Sequence, residues 1–138
     1  MSWLDDLKSR LIKHEGLCLK PYECSSGKLT IGIGRNLSDN GLSKQEAYYL
    51  FDNDIKNAIR LCQNEFSFFK TLSKQRQGVL VEMCFNMGIK KLKTFKKMIE
   101  AIQNDDFKTA SDEMLESRWA KQVKNRAKTL AHLMKEEK

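Results

Sequence analysis

Three features of the 138-residue sequence predict an α+β fold whose strands and helices are segregated along the chain. An opening stretch with Leu4, Leu7, Leu11 and Ile12 in helical period stops at Gly16. The segments "CLKPYE" and "KLTIGIG" then flank the turn cluster Ser25, Ser26, Gly27. From Leu42 onwards apolar residues recur at helical spacing to near the end. The expected layout is one domain over residues 1–138. A small lobe of roughly 14–60 and a helical lobe made of the remainder, helix 1 included, would leave a cleft between them.

Helix 1 starts at a cap, with Ser2 followed by Asp5 three residues later. Glu15 continues the stripe four residues after Leu11, so a carboxylate stands on the apolar side at a helix end. In the hairpin, Pro21 demotes the first strand to an edge, and Gly32 and Gly34 suit close approach of a backbone or ligand. With a loop at Ser25 to Gly27, Cys24 and Thr30 share parity and one face, while Glu23 points the other way into solvent. Ser43 and Glu46 form a capping box opening a long helix whose stripe is Ala47, Leu50, Phe51, Asp54, Ile55, Ala58 and Ile59. A second helix runs from a Ser73 cap to a Gly88 stop, with Val79, Leu80, Met83, Cys84 and Met87 as its core. "TFKKMIEAIQN", "DFKTASDEMLES" and "NRAKTLAHLMKEEK" give three more.

Composition narrows the function. The apolar fraction of 41% is that of a globular protein, and no apolar run is long enough to span a membrane. Cys62 and Cys84 fall on apolar stripes and read as core residues; no C-x-x-C occurs, and the histidines lack metal-ligand spacing. No metal or cofactor is expected. A net charge of +7 favours polyanions of any kind. There is no aromatic–basic interleaving, so nucleic acid is not the expected partner.

On the pattern alone, Glu15 has two readings. Desolvation on an apolar stripe disfavours its charged form, as a general acid needs; the plainer reading is a helix-end carboxylate that meets solvent or a basic side chain. Cys24 and Thr30 alone are weak signals. Their spacing is not: Glu15, eight residues, Cys24, five residues, Thr30, then "TIGIGR". This resembles the catalytic spacing of the T4-type phage lysozymes, glycoside hydrolase family 24. "MCFNMG" and "SRWAKQVKNRA" resemble the family's cleft helix and late signature, in order, so the resemblance spans nearly the whole chain.

The resemblance implies a lysozyme-like fold that hydrolyses the β-1,4 bond between N-acetylmuramic acid and N-acetylglucosamine in peptidoglycan. Glu15 would be the general acid, and Thr30 would place the attacking water or shape the sugar subsite. Arg126 matches an arginine that pairs with the acid, Asn86 and Gln122 match substrate-contacting positions, and the resemblance implies all three in the substrate-binding set. Cys24 stands where the best-known members carry Asp and a subset carries Cys. Its thiolate is a minority at neutral pH unless something lowers its pKa; a cationic surrounding is one means. The short segment "NLSDNG" replaces a longer insertion of the best-known members, which implies a reduced small lobe.

The N-terminus lacks the pattern of an export signal, so synthesis in a cytoplasm is expected; the resemblance implies a host cell and passage to its wall after a holin permeabilises the inner membrane. A monomer is expected. The last helix carries Arg126, Lys128 and Lys135 beside an apolar stripe; it is either an ordinary packed helix or a contact for anionic envelope surfaces. The main alternative in function is a lysozyme-like module that grips peptidoglycan without cutting it.

Overall fold

The computed structural model describes residues 2–136, and their contacts divide the chain into two compact units, residues 1–49 and 50–138. The first unit opens with α1 (Trp3–Glu15). The Ser2 hydroxyl accepts the Asp5 backbone N–H at 3.2 Å and donates to the Asp5 carboxylate at 3.0 Å, and Gly16 ends the helix by donating to the Ile12 carbonyl at 2.8 Å.

Three strands follow as an antiparallel meander in the order β1 (Cys18–Glu23), β2 (Leu29–Gly32) and β3 (Arg35–Asn36). β1 is the edge strand, and its pairing with β2 is irregular between Cys18 and Tyr22, the stretch that contains Pro21. Proline has no N–H to give to a ladder, which is why it sits there. The β1–β2 turn is the expected one: Gly27 donates to the Cys24 carbonyl and Cys24 to the Lys28 carbonyl, each at 2.9 Å, with Gly27 at φ +78°. β3, too short to show a period, was not legible in the sequence.

α2 (Leu37–Asn40) is capped by Asn36, whose side chain accepts the Asp39 N–H at 3.0 Å. α3 (Lys44–Glu65) begins at the expected capping box: the Ser43 hydroxyl accepts from Glu46 N–H at 3.1 Å, and the Glu46 carboxylate accepts from Ser43 N–H at 2.8 Å. The division between the units falls inside α3. The expectation placed helix 1 with the helical lobe. Its contacts group it with residues 1–49, the sheet included, instead.

Among the described residues of the first unit only Thr30 is buried. Leu4, Leu11 and Ile12 on the α1 stripe are each close to half exposed, and of the α3 stripe Ala58 is buried while Ala47, Leu50, Phe51 and Asp54 are exposed. Periodicity identifies an apolar face; how far it is covered depends on neighbours that the period does not specify. The first unit is tied instead by polar links. Arg35 pairs with Glu46, Lys28 Nζ meets the Asp39 carboxylate at 3.0 Å, and the Leu29 N–H donates to the Ser38 hydroxyl at 2.8 Å.

The second unit holds the apolar core. After a single 3₁₀ turn (Phe69–Thr71) come α4 (Lys74–Met87), α5 (Ile89–Leu92), α6 (Lys96–Gln103), α7 (Phe107–Leu115), α8 (Arg118–Val123) and α9 (Asn125–Lys135). α9 packs on α4, α7 and α8, and α6 packs on α7. Val79, Leu80, Met83, Leu92, Met98, Ile102, Met114, Trp119 and Met134 are almost fully buried among them. Ser73 and Gly88 cap α4 as expected. Cys62 and Cys84 are free thiols in this core. Burial pushes Cys84 up and Cys62 up to about 12, so both are inert as nucleophiles.

Arg76 is a buried cation in this unit that sequence pattern did not reveal. Its Nε donates to the Met134 carbonyl at 2.7 Å, one terminal nitrogen donates to the Lys135 carbonyl at 3.1 Å, and the guanidinium stacks 3.6 Å from the Phe107 ring centre. It thus satisfies carbonyls left open at the end of α9 and complements that helix's negative pole. Replacing Arg76 by Ala leaves those carbonyls unpaired; a loss of roughly 1.5–3 kcal/mol is expected from denaturant unfolding.

Candidate active site

The three residues of the Glu–Cys–Thr motif all belong to the first unit. Cys24 directly follows β1 at the mouth of the first turn, and the register pairs Tyr22 with Thr30 and Glu23 with Leu29. Alternation along the strands therefore puts Cys24 and Thr30 on one face and the exposed Glu23 on the other, as the parity argument required. Thr30 is buried, and its hydroxyl donates to the Lys28 carbonyl at 3.0 Å.

The Cys24 sulfur lies 3.1 Å from the Ser26 hydroxyl. That hydroxyl, followed by the backbone groups of Ser26 and Lys28, holds the thiol down at about 7 against a smaller opposing effect of burial, with the Thr30 hydroxyl adding to the lowering. The cause differs from the cationic surrounding expected from the chain's charge. The donors are neutral groups of the tight turn itself. Such a thiol is ionised to a greater extent at neutral pH than a free cysteine.

Glu15 is the last residue of α1 and it is exposed, which fits the helix-end carboxylate that meets solvent rather than one desolvated on the apolar stripe. Its carboxylate lies against the second hairpin turn. A Cβ placed on Gly34 would stand 2.6 Å from Glu15 Oε2 and 3.0 Å from its Cδ. Gly34 also has φ +69°, in the turn that separates the paired residues Ile31 and Arg35. The expected close approach at Gly34 is thus to the motif's own carboxylate.

Arg35, one residue further, is the group that sequence reasoning passed over. Its two terminal nitrogens take both oxygens of Glu46, one of them at 2.9 Å, and the first also donates to the Gly41 carbonyl at 3.0 Å. The guanidinium and the Ser43 donors hold the Glu46 carboxyl down at about 2. A folded value below the unfolded one means a stability contribution that is present above the ordinary glutamate range and lost as pH falls through about 2. Only the coincidence of "GIGR" with a capping-box Glu hinted at this pair, because a fork of this kind requires knowing that β3 exists.

Asn86, Gln122 and Arg126 lie in the second unit. Asn86 is near the end of α4, where its Oδ1 accepts the indole N–H of the buried Trp119 at 2.7 Å; its amide is thereby oriented. Arg126, at the start of α9, donates through Nε to the Glu82 carboxylate at 2.8 Å. Gln122 is exposed on α8. The same unit carries a groove of about 570 Å³ whose lining includes Lys91, Phe95, Lys96, Lys97, Arg118 and Trp119. None of the three expected substrate contacts lines it. Among the described residues no three His, Cys, Asp or Glu side chains gather to hold a metal ion.

Two outcomes follow for this sheet. In a Cys18→Ser background, used because Cys18 is exposed and would react too, alkylation of the half-buried Cys24 by iodoacetamide has its half-maximal rate near pH 7, and Ser26→Ala moves that midpoint upward. Gly34→Ala costs about 1–2 kcal/mol for the left-handed backbone, read by denaturation, and displaces the Glu15 carboxylate, read by its side-chain carbon resonance.

The phage lysozyme family model matches residues 12–137. The chain is 26% identical to the probable T4-type lysozyme 1 of Dictyostelium discoideum, over 90% of each chain. It is 25% identical to an endolysin of Acyrthosiphon pisum secondary endosymbiont phage 1, over 85% of this chain and 79% of that one. It is 27% identical to the pre-baseplate central spike protein Gp5 of Enterobacteria phage T4, over 85% of this chain but a quarter of that protein. Among the described residues no helix is long and apolar enough to cross a membrane. With its α+β, lysozyme-like arrangement and this match over most of its length, the chain belongs to the phage lysozyme family.

Proposed function

We propose that the protein is an endolysin-type muramidase that hydrolyses the β-1,4 bond between N-acetylmuramic acid and N-acetylglucosamine in peptidoglycan. In this reading it is a monomer that reaches the wall once another protein permeabilises the inner membrane. The observation that carries the reading is a single small sheet that presents an acidified thiol beside a threonine on one face and seats a carboxylate on its second turn.

Glycoside hydrolysis needs an acid to protonate the departing glycosidic oxygen and a second group for the positive charge that builds at the anomeric carbon. Glu15 is the acid. Cys24, as thiolate, supplies the negative charge or steers the attacking water, and Thr30 fixes that water or the sugar. A thiolate can also attack carbon directly and form a covalent glycosyl-enzyme, which retains the anomeric configuration; a Cys24-steered water inverts it. Water steering is the reading adopted, and the anomer of the first-formed product, followed by NMR, decides between the two. Asn86, Gln122 and Arg126 are assigned to substrate contact. The oriented amide of Asn86 supports its place in the set.

Purified peptidoglycan should release reducing sugar ends, and Glu15→Gln and Cys24→Ala should each lower the rate by about 10²-fold or more. Glu23→Ala should leave it intact. Rate should fall as pH drops through about 7, because the thiolate is the active form. Cys24→Asp should move that limb into the carboxylate range. Retention on peptidoglycan with no reducing ends would establish the non-cutting module instead.

A further inference from the structure

We propose that Arg35 is a positioning residue for Glu15: its fork onto Glu46 fixes the β2–β3 turn on which the Glu15 carboxylate rests. The inference rests on the muramidase reading for its kinetic consequence, and on the sheet geometry for everything else.

Arg35 occupies three relations at once. It follows Gly34 directly, and Gly34 is in contact with the Glu15 carboxylate. It pairs across the ladder with Ile31, the neighbour of Thr30. Its guanidinium grips both oxygens of Glu46 and the Gly41 carbonyl, so it reaches the first turn of α3 and the segment leading into it. The first unit has no buried apolar side chain among the described residues to set the position of this turn by packing. Its two-residue strand β3 supplies few ladder bonds. A bidentate, planar fork is then the strongest directional constraint on the turn. Glu46 is itself held by the Ser43 capping box, so the anchor is tied to a helix end rather than to a mobile side chain.

A turn that shifts by a fraction of an ångström carries Gly34 with it. The Glu15 carboxylate then loses the surface that fixes its rotamer, while the Cys24 turn, built from its own donors, does not change. Misplacing a catalytic group lowers the rate of the chemical step without weakening ground-state binding in proportion.

The test compares the wild type with Arg35→Ala, Arg35→Lys and Glu46→Gln, and with Lys93→Ala, which removes an ion pair to Glu65 in the second unit. Three quantities are read: the Glu15 side-chain carbon resonance, the pH midpoint of Cys24 alkylation, and kcat and KM on peptidoglycan fragments. Arg35→Ala should move the Glu15 resonance and lower kcat by about 10-fold or more, with a much smaller change in KM. The Cys24 midpoint should stay near 7. Arg35→Lys should recover part of kcat, since one charge-assisted contact survives without the fork. Glu46→Gln should behave as Arg35→Lys, and Lys93→Ala as wild type. An unmoved Glu15 resonance in Arg35→Ala, with the Cys24 midpoint unchanged, overturns the proposal. So does a loss confined to KM. Should Arg35→Ala fail to fold, Arg35→Lys and Glu46→Gln carry the same comparison. If the wild type releases no reducing ends, the muramidase reading fails, and the resonance still decides the position of Glu15.

Discussion

The motif's carboxylate reaches the sheet because residue 34 has no side chain. Glu15 leaves the end of α1 and lies on the backbone of the β2–β3 turn, in space that any Cβ at that position would fill. The same residue takes a left-handed backbone, which glycine adopts without the steric cost borne by other residues. One atom's absence thus meets two demands, a turn geometry and a seat for a carboxylate. The end of α1 meets the sheet at Gly34, and Arg35 follows that residue directly in the chain.

The first unit is organised by polar geometry and the second by packing. In the sheet, turns, caps and ion pairs do the ordering, and Thr30 alone among the described residues is buried. Such interactions are directional, so they hold groups at set distances while adding modest stability. The thiol of Cys24 shows the benefit. A hydroxyl and backbone groups two to four residues away bring it to about 7, with no contribution from the chain's excess of lysine. Local hydrogen bonding to the charged form is enough when the turn aims the donors.

In the helical unit, buried side chains of Trp119, Met83, Met114, Met134 and their neighbours exclude water, and the few polar groups among them are matched. Arg76 covers the open carbonyls of α9, Ser111 donates to the Ala131 carbonyl at 2.8 Å, and Trp119 gives its N–H to Asn86. Among the described residues no buried side-chain nitrogen or oxygen lacks a partner. Asn86 therefore has a structural role that stands beside any contact with sugar: it closes the hydrogen bond of a core tryptophan.

The sequence by itself determined the features that depend on a few adjacent residues. Ser2, Ser43, Ser73, Gly16 and Gly88 announce helix ends because caps are local. Gly27 and the strand alternation fix the faces of Cys24, Thr30 and Glu23 because the side-chain period of a strand is two. The Glu–Cys–Thr spacing was legible for the same reason. Tertiary structure alone decided the rest. Pairing β3 to β2 brought Arg35 near Glu46; docking α1 on the turn put Glu15 against Gly34; packing α4 under α9 buried Arg76. Each joins residues that are distant in the chain or lie on separate elements, and neither helical period nor strand alternation encodes which element comes to lie beside another. The acidity of Cys24 lies between the two: its donors Ser26 and Lys28 are chain neighbours, but only the folded turn directs their polar groups at the sulfur.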